Sequence, residues 1–279
     1  MIPFDFEYYL PGNAAEAVYL YSELAESGRE PLYYAGGTEV ITLCRRQVIA
    51  PAALIDLKAI SEMQQLTVDG DKLFFGASLS LSFLSEQTHY YPLLARVAGS
   101  VADHTVRNRL TLGGNICGQL PYREAVMPFL LAGADLLIAG PAGERSVPLQ
   151  QLFDKRLLLK KGEILLQLII PREISGLASF SKRREKHGPV DYPLCHLAAL
   201  KNEKTLTVAV SGLCAFPFRS LDLEKLLNDS SLTIKQKVAK ASALLPVAIR
   251  KDELGSAEYR QALWQQDLVT MLEEMGGAG

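Results

Sequence analysis

The sequence predicts an α+β protein of two domains. A length of 279 residues suits one large domain or two ordinary ones. Helix and strand signals alternate through the first half, and consecutive strands precede helices in the second, which is typical of an α+β layer. The composition changes after a polar stretch at 175–190, so we place the boundary near 171–176, where Pro171 interrupts a strand. The predicted domains are 1–172, with subdomains at about 1–56 and 57–172, and 173–279.

Helix signals recur along the chain. Asn13 can cap a helix through Glu16, and apolar residues then follow at helical spacing until Gly28. Further helices are predicted at 40–43, 91–102 and 124–134, and from Asp222 and Ile234 onward.

Strand signals lie between these helices and in the second domain. Short apolar or alternating runs bounded by turn residues predict strands at 32–35, 54–57, 66–68, 72–77, 135–139, 164–170, 193–200 and 205–213. The glycine-rich end at 276–279 is expected to be a mobile tail.

Charge and hydropathy exclude several classes of protein. Lysine and arginine number 29 against 31 aspartate and glutamate, a net charge of −2, which argues against a general affinity for nucleic acid or anionic membranes. The most apolar stretches, 130–139 and 164–170, are shorter than the roughly 20 residues that a spanning helix needs. Residues 1–5 have neither a basic leader nor an apolar signal region, so we expect a cytoplasmic protein without a membrane segment.

Cysteine spacing argues against a metal centre made by this chain alone. The sequence contains no CxxC motif, and the cluster of His187, Cys195 and His196 is too weak to predict a ligand set. The cysteines are Cys44, Cys117, Cys195 and Cys214. Redox chemistry would therefore need a bound organic cofactor or a metal of a partner.

Two glycine pairs stand next to predicted secondary structure. The first, Gly36 and Gly37, lies between a strand and a helix, and the second comprises Gly113 and Gly114. A glycine pair lets backbone N–H groups converge on a diphosphate without a lysine, although either loop alone could be a plain turn. Two such loops suit a long bipartite ligand. Neither reads GxGxxG, which disfavours a Rossmann dinucleotide fold.

Four segments, in order over nearly the whole chain, resemble one family. AGGTE at 35–39 resembles the AGGT(D/E) loop of the FAD-binding subunits of molybdenum hydroxylases, and VRNRLTLGGNI at 106–116 resembles their (I/V)RNxAT(I/L)GGN(I/L) segment. EILL at 163–166, followed by Ile170 and Pro171, matches the strand that closes their FAD domain. DELGSAEYR at 252–260 resembles the D-x-x-GSAEYR signature of their C-terminal domain.

The resemblance implies a fold and a role. The fold is a vanillyl-alcohol-oxidase-type FAD-binding domain of two α+β subdomains, followed by a small α/β domain of the CO dehydrogenase flavoprotein C-terminal type. The role is that of the medium subunit of a xanthine dehydrogenase-like enzyme, relaying electrons from a small iron–sulfur subunit through FAD to NAD⁺ or another acceptor. A large molybdopterin-binding subunit would oxidise the substrate. Neither glycine loop contains histidine or cysteine, so we expect non-covalent FAD, and no catalytic acid, base or nucleophile is needed from this chain.

Cofactor-binding positions follow from the same resemblance, residue by residue. The first side of the FAD diphosphate would be held by Ala35, Gly36, Gly37, Thr38, Glu39 and Val40. The second side and the ribityl chain would be held by Thr111, Gly113, Gly114, Asn115 and Ile116, and Val106 is a further expected cofactor-binding position. Ile164 and Leu165 would pack near the adenine or flavin end, and Lys182 near the isoalloxazine. Arg107 and Arg109 are interpreted as structural donors or charges beside the diphosphate.

One segment departs from the family pattern. Where the family reads A-S-P-x-x-D after GGN, with the serine and aspartate contacting the flavin nucleotide, residues 119–124 read QLPYRE. Leu120 thus replaces the serine, and the resemblance implies that Glu124 supplies the carboxylate that contacts the cofactor. This change leaves open a flavin-free assembly subunit as an alternative function. A self-contained flavin oxidoreductase is disfavoured because no acid–base pair is apparent.

Overall fold

The chain forms two compact units that interleave along the sequence. The computed structural model describes residues 2–185, 191–203 and 205–276, so His187 and residues 277–279 of the predicted tail lie outside the described residues. The first unit contains residues up to 84, 104–118 and 133–172. The second contains residues 85–103, 119–132 and those from 173 onward. Packing therefore groups 85–103 and 119–132 with the C-terminal residues, whereas the domains predicted from the sequence are continuous.

The secondary structure alternates throughout the described residues. The helices are α1 (Ala14–Glu26), α2 (Thr38–Arg45), α3 (Leu81–Glu86), α4 (Pro92–Ser100), α5 (His104–Arg107), α6 (Leu112–Cys117), α7 (Val126–Ala132), α8 (Leu149–Leu152), α9 (Leu221–Asn228), α10 (Ile234–Ala241) and α11 (Ala257–Gly276). The strands are β1 (Glu7–Tyr9), β2 (Pro31–Tyr34), β3 (Ala53–Asp56), β4 (Leu66–Asp69), β5 (Lys72–Gly76), β6 (Asp135–Gly140), β7 (Gly143–Pro148), β8 (Phe153–Asp154), β9 (Arg156–Leu157), β10 (Ile164–Pro171), β11 (Ala178–Glu185), β12 (Pro193–Lys201), β13 (Leu206–Ser211) and β14 (Phe218–Arg219).

Two sheets build the first unit. A parallel sheet has the order β1-β3-β2, and α1 packs against β2 and β3. As predicted, Asn13 caps α1, because its Oδ1 accepts a hydrogen bond from the N–H of Glu16 at 2.9 Å. An antiparallel sheet has the order β4-β5-β10-β6-β7, with the almost wholly apolar β10 buried at its centre. Strands β8 and β9 form a short ribbon.

One antiparallel sheet, β11-β12-β13-β14, organises the second unit. Helices α9 and α11 pack on one face, where Trp264 is fully buried among Cys195, Leu197 and Val210. Helices α4 and α7 contact strands of the same sheet. The sheet is therefore covered by helices from two separate parts of the chain, which is why 85–103 and 119–132 belong to this unit.

The segment that resembles the C-terminal family signature fixes the start of α11. Arg260 is fully buried, and it donates to the carbonyl oxygens of Leu194 at 2.7 Å and Gly212 at 3.0 Å and to Asp252 Oδ1 at 2.6 Å. Ser256 Oγ accepts a hydrogen bond from the N–H of Tyr259 at 3.1 Å. These bonds tie the helix to β12 and to the turn after β13, so the segment is structural.

Several elements differ from those predicted. The sequence predicts only a polar stretch where the structure has strand β11. The charged side chains of β11 pair with residues of other elements; for example, Arg184 Nη2 lies 2.8 Å from Asp267 Oδ1. β1, β7 and α11 were not predicted, and the second glycine segment, expected to be a loop, begins the short helix α6. No helix within 2–185, 191–203 and 205–276 combines the length and apolar character needed to cross a bilayer.

Candidate functional site

The first glycine loop joins β2 to α2. Gly37 is the N-cap of α2 and has a φ of 75°, in the left-handed region that favours glycine. Glycine has no side chain with which to cap the first turn. The leading N–H groups of α2, which have no partner within a helix, therefore receive no cap from this position.

The second glycine segment forms the start of α6. Thr111 is its N-cap, and Thr111 Oγ1 accepts a hydrogen bond from the N–H of Gly114 at 3.1 Å. The N–H of Gly113 donates to the carbonyl of Ala77 at 2.7 Å. A Cβ on Gly113 would lie 2.8 Å from the Cβ of Ala77, so glycine lets α6 pack directly against the chain that follows β5.

Gly36 brings the two glycine segments together. A Cβ built on Gly36 would lie 1.8 Å from the carbonyl oxygen of Arg109 and 3.3 Å from the backbone nitrogen of Thr111. Both neighbours are backbone atoms, which cannot rotate aside. A Cβ on Gly118 would similarly lie 3.0 Å from Glu39 Oε2. The two segments, 73 residues apart from Gly36 to Arg109, thus form one continuous surface.

A cleft of about 350 Å³ opens where these segments meet. It is lined by Tyr34, Ala35, Gly36, Lys58, Gln64, Ser78, Leu79, Ser80, Phe83, Asn108, Arg109 and Thr111. Ser78 is only 5% exposed, and its Oγ has no hydrogen-bond partner among the described residues. Since a buried hydroxyl without a partner is costly, a polar ligand in the cleft would satisfy it.

A buried carboxylate supports one wall of the cleft. Asp56, at the end of β3, is 1% exposed and accepts hydrogen bonds from the hydroxyl of Tyr8 and from the backbone N–H of Lys58. The Nζ of Lys58 donates to Asp56 Oδ2 at 2.5 Å and to the carbonyl of Ala35 at 3.0 Å. It also lies 4.5 Å from the ring centre of Tyr34. Asp56 thereby holds an ammonium group against the first glycine loop.

Electrostatics at this wall favour the protonated tyrosines. The hydrogen bond to Asp56, reinforced by burial, raises the pKa of Tyr8 to about 12, so its hydroxyl remains a donor at neutral pH. Burial and the charge of Asp56 raise the pKa of Tyr34, while the charge of Arg109 opposes them. Lys58 and Arg109 thus both place positive charge in the cleft beside Tyr34.

The predicted cofactor residues fall into three groups. Ala35, Gly36 and Thr111 line the cleft. The adjoining turns of α2 and α6 contain Gly37, Thr38, Glu39, Val40, Gly113, Gly114, Asn115 and Ile116. Ile164 and Leu165 are buried in β10, and Val106 is exposed on α5; these three do not line the cleft. Their individual roles toward FAD stay predictions.

Glu124 lies in the second unit, inside a buried polar cluster. Its Oε1 is 2.7 Å from His196 Nδ1 and accepts a hydrogen bond from Arg183 Nε at 2.8 Å. The other ring nitrogen of His196 is 2.9 Å from Ser181 Oγ. Burial by itself would raise the pKa of Glu124, but the hydrogen bonds and charges of His196 and Arg183 outweigh it and lower the pKa. These contacts give Glu124 a structural role, and its contact with a flavin nucleotide stays a prediction.

Lys182 also lies in the second unit, on β11. Its Nζ is 3.8 Å from Oδ1 of the buried Asp267, which accepts hydrogen bonds from Arg184 as well. Its expected place near an isoalloxazine stays a prediction. Across the described part of the chain, no group of three or more His, Cys, Asp and Glu side chains is placed to hold a metal ion.

Sequence reasoning missed several residues of the cleft. Lys58 and Ser78 carry no motif, and only the position of Asp56 at the end of a buried strand could have drawn attention to Lys58. Gln64 and Ser80 are likewise scattered polar residues that the fold brings to one place, whereas Asn108 lies within the 106–116 segment but was given no role.

A family model described as "FAD binding domain in molybdopterin dehydrogenase" matches residues 4–173. The chain belongs to this family. It is thus a flavoprotein of the molybdenum hydroxylase type, with FAD as its cofactor, and an oxidoreductase subunit. Both glycine segments and the whole cleft lie within the matched residues.

Similar proteins cover nearly the full length of this flavoprotein. It is 27% identical over 273 residues to the carbon monoxide dehydrogenase medium chain of Hydrogenophaga pseudoflava, covering 94% of each chain. It is 27% identical over 278 residues to the xanthine dehydrogenase FAD-binding subunit of Escherichia coli O157:H7, covering 94% and 93%. A solved structure of the Hydrogenophaga pseudoflava carbon monoxide dehydrogenase matches with a TM-score of 0.84 and 26% identity, over 97% and 96% of the chains. The predicted α+β fold is confirmed.

The residues of the first unit fit FAD. A dinucleotide diphosphate needs closely approaching backbone, hydrogen-bond donors and positive charge. The glycine segments supply the first, Ser78 and Thr111 supply hydroxyl groups, and Lys58 and Arg109 supply two cations. The buried hydroxyl of Ser78 is the strongest sign of a ligand in the cleft, because it has no hydrogen-bond partner among the described residues.

Proposed function

We propose that this chain holds FAD non-covalently in the cleft between its two glycine segments and passes electrons from partner iron–sulfur clusters to NAD⁺ or another acceptor. The observation that carries the proposal is the meeting of the two segments at Gly36, with the cleft and its buried Ser78 hydroxyl opening at the same place. The cytoplasmic location expected from the sequence is part of this proposal.

The residues of the first unit bind and orient the diphosphate. The first turn of α2 offers backbone N–H groups beyond Gly37. Thr111 Oγ1 already accepts from Gly114, so its own proton is available to donate to an anionic oxygen. Ser78 would gain the partner that it lacks. FAD, when bound, exchanges single electrons with iron–sulfur clusters and electron pairs with nicotinamide.

Partner subunits complete the proposed enzyme. The relatives are named as a medium chain and as an FAD-binding subunit, names that describe parts of larger complexes. We assign to this chain a large molybdopterin-binding partner, which would oxidise the substrate, and a small iron–sulfur partner. The chain itself then needs to bind and position FAD and to exclude water, without an acid–base pair.

A reconstitution experiment tests this function. The purified chain, mixed with FAD and freed of excess, is expected to retain equimolar flavin by visible absorption. Anaerobic addition of NADH should then bleach that absorption. A chain that retains no flavin would instead be a flavin-free assembly subunit, and flavin that NADH leaves oxidised would contradict NAD⁺ as the acceptor.

Ser78 provides a sharper test of the cleft. Ser78→Ala is expected to weaken FAD binding about three- to tenfold, since a hydrogen bond contributes about 0.5–1.5 kcal/mol. The free chain should be as stable as before or more so, because the change removes a buried hydroxyl without a partner. FAD titrations and urea unfolding of the flavin-free chain measure the two effects. Ser61→Ala, at a residue that does not line the cleft, is the matched control. Unchanged FAD affinity in Ser78→Ala would contradict the assignment.

A further inference from the structure

We propose that Lys58 is the residue that recognises the diphosphate of the bound dinucleotide, and that Asp56 and Tyr8 are positioning residues that act through it. The inference rests on the proposed FAD site and names the side chain that sets its preference for a diphosphate ligand. None of the three residues belongs to the glycine motifs.

The Lys58 ammonium has one donor left for a ligand. An ammonium carries three N–H groups. One donates to the carbonyl of Ala35 and one to Asp56 Oδ2, and the side chain remains 41% exposed in the lining of the cleft. The third N–H is therefore available beside the first glycine loop.

Asp56 and Tyr8 fix where that ammonium stands. A free lysine side chain loses rotamer entropy when it is held in one place. Here the carboxylate is buried, and the Tyr8 hydroxyl and the Lys58 backbone N–H orient its two oxygens. The Lys58 Nζ also lies over the Tyr34 ring, 4.5 Å from its centre. The cation is thus placed before a ligand arrives, which lowers the entropic cost of binding.

The positive charge of the cleft favours a ligand with a doubly charged diphosphate group. Lys58 and Arg109 supply two positive charges, and among the described residues that line the cleft none is acidic. Asp56 offsets one positive charge from behind the wall, so the cleft remains net positive. A diphosphate ester, with two negative charges, gains more from this field than a neutral nucleoside does. Ser78 adds a buried hydroxyl on the same surface.

Competition between FAD and two smaller ligands tests the inference. ADP and adenosine differ only in the diphosphate, and each is titrated as a competitor of FAD uptake by the full-length chain. The wild type is expected to bind ADP more tightly than adenosine. Lys58→Met should weaken FAD binding about tenfold and reduce the preference for ADP over adenosine about tenfold, with the affinity for adenosine unchanged. Lys58→Arg should keep most of the FAD affinity and of the ADP preference. Lys161→Met, at an exposed lysine of the same unit, is the control and should behave as the wild type.

The outcomes separate this inference from the proposed function. A wild type that binds no FAD would overturn the function itself. A wild type that binds FAD, with a Lys58→Met variant that keeps the ADP preference or weakens adenosine and ADP alike, would overturn only the role of Lys58.

The positioning role is tested by Tyr8→Phe. Removing the hydroxyl that orients Asp56 should reduce the ADP preference about threefold in the wild-type background and have no further effect in Lys58→Met. Independent, additive effects would show that Tyr8 does not act through Lys58.

Discussion

Replacing Gly36 with alanine is expected to weaken FAD binding about tenfold to a hundredfold. The added Cβ would lie 1.8 Å from the carbonyl oxygen of Arg109, so the two glycine segments must separate. Overpacking of this kind costs about 1–3 kcal/mol, and each 1.4 kcal/mol is a factor of ten in affinity. The measurement is the flavin-to-protein ratio after gel filtration, followed by titration of the flavin-free variant with FAD.

Gly12→Ala provides the matched control in the same unit. A Cβ on Gly12 would lie 3.8 Å from Glu16 Oε2, an ordinary contact, so this variant should keep wild-type flavin content. If Gly36→Ala retained FAD with wild-type affinity, the meeting point of the segments would not be the cofactor site.

Glu124→Gln is expected to destabilise the second unit by about 3 kcal/mol, because breaking a buried ion pair leaves uncompensated charge. Arg183 would lose one of the two carboxylates that it contacts among the described residues and keep Glu185, and His196 would lose the anion 2.7 Å from its Nδ1. Urea unfolding at neutral pH, followed by the fluorescence of Trp264 in the second unit, measures the change. Glu274→Gln, at an exposed position on α11, should leave the stability unchanged.

The effect of Glu124→Gln should depend on pH. His196 and Arg183 lower the pKa of Glu124 in the folded protein more than burial raises it. The stability that the ionised group contributes is therefore present above its unfolded-state pKa and is lost as the pH falls through the lower, folded-state pKa. The difference between wild type and variant should shrink on acidification, and a difference that grew would contradict this account. Loss of FAD at unchanged stability would support a cofactor role for Glu124.

Local signals predicted the elements that depend on neighbours in sequence. The cap at Asn13, the hairpin of β4 and β5 and the apolar β10 all follow from short patterns, and all are present. Polar β11 was missed because its stability comes from partners far along the chain, including Asp267, 83 residues from Arg184. Periodicity cannot reveal such pairing.

The cleft shows the same division. Its glycine segments could be found in the sequence because only glycine allows backbone segments to approach so closely. Lys58 and Ser78 could not, because a lysine two residues after a strand and a serine in a stretch that alternates with leucine are ordinary until folding places them together.

The sequence by itself determined the family, the FAD cofactor and the two glycine segments proposed to bind it, since their motif residues can be recognised without knowledge of the fold. Only the tertiary structure decided that Gly36 lies against Arg109, that Asp56 holds Lys58 at the cleft, and that Glu124 belongs to a buried cluster with His196. The contacts of Gly36 with Arg109 and of Glu124 with His196 join residues 73 and 72 positions apart, and the local Asp56–Lys58 pair reaches the cleft because Lys58 also donates to Ala35, 23 residues away. Such distances are set by how sheets and helices pack and not by the order of residues in the chain.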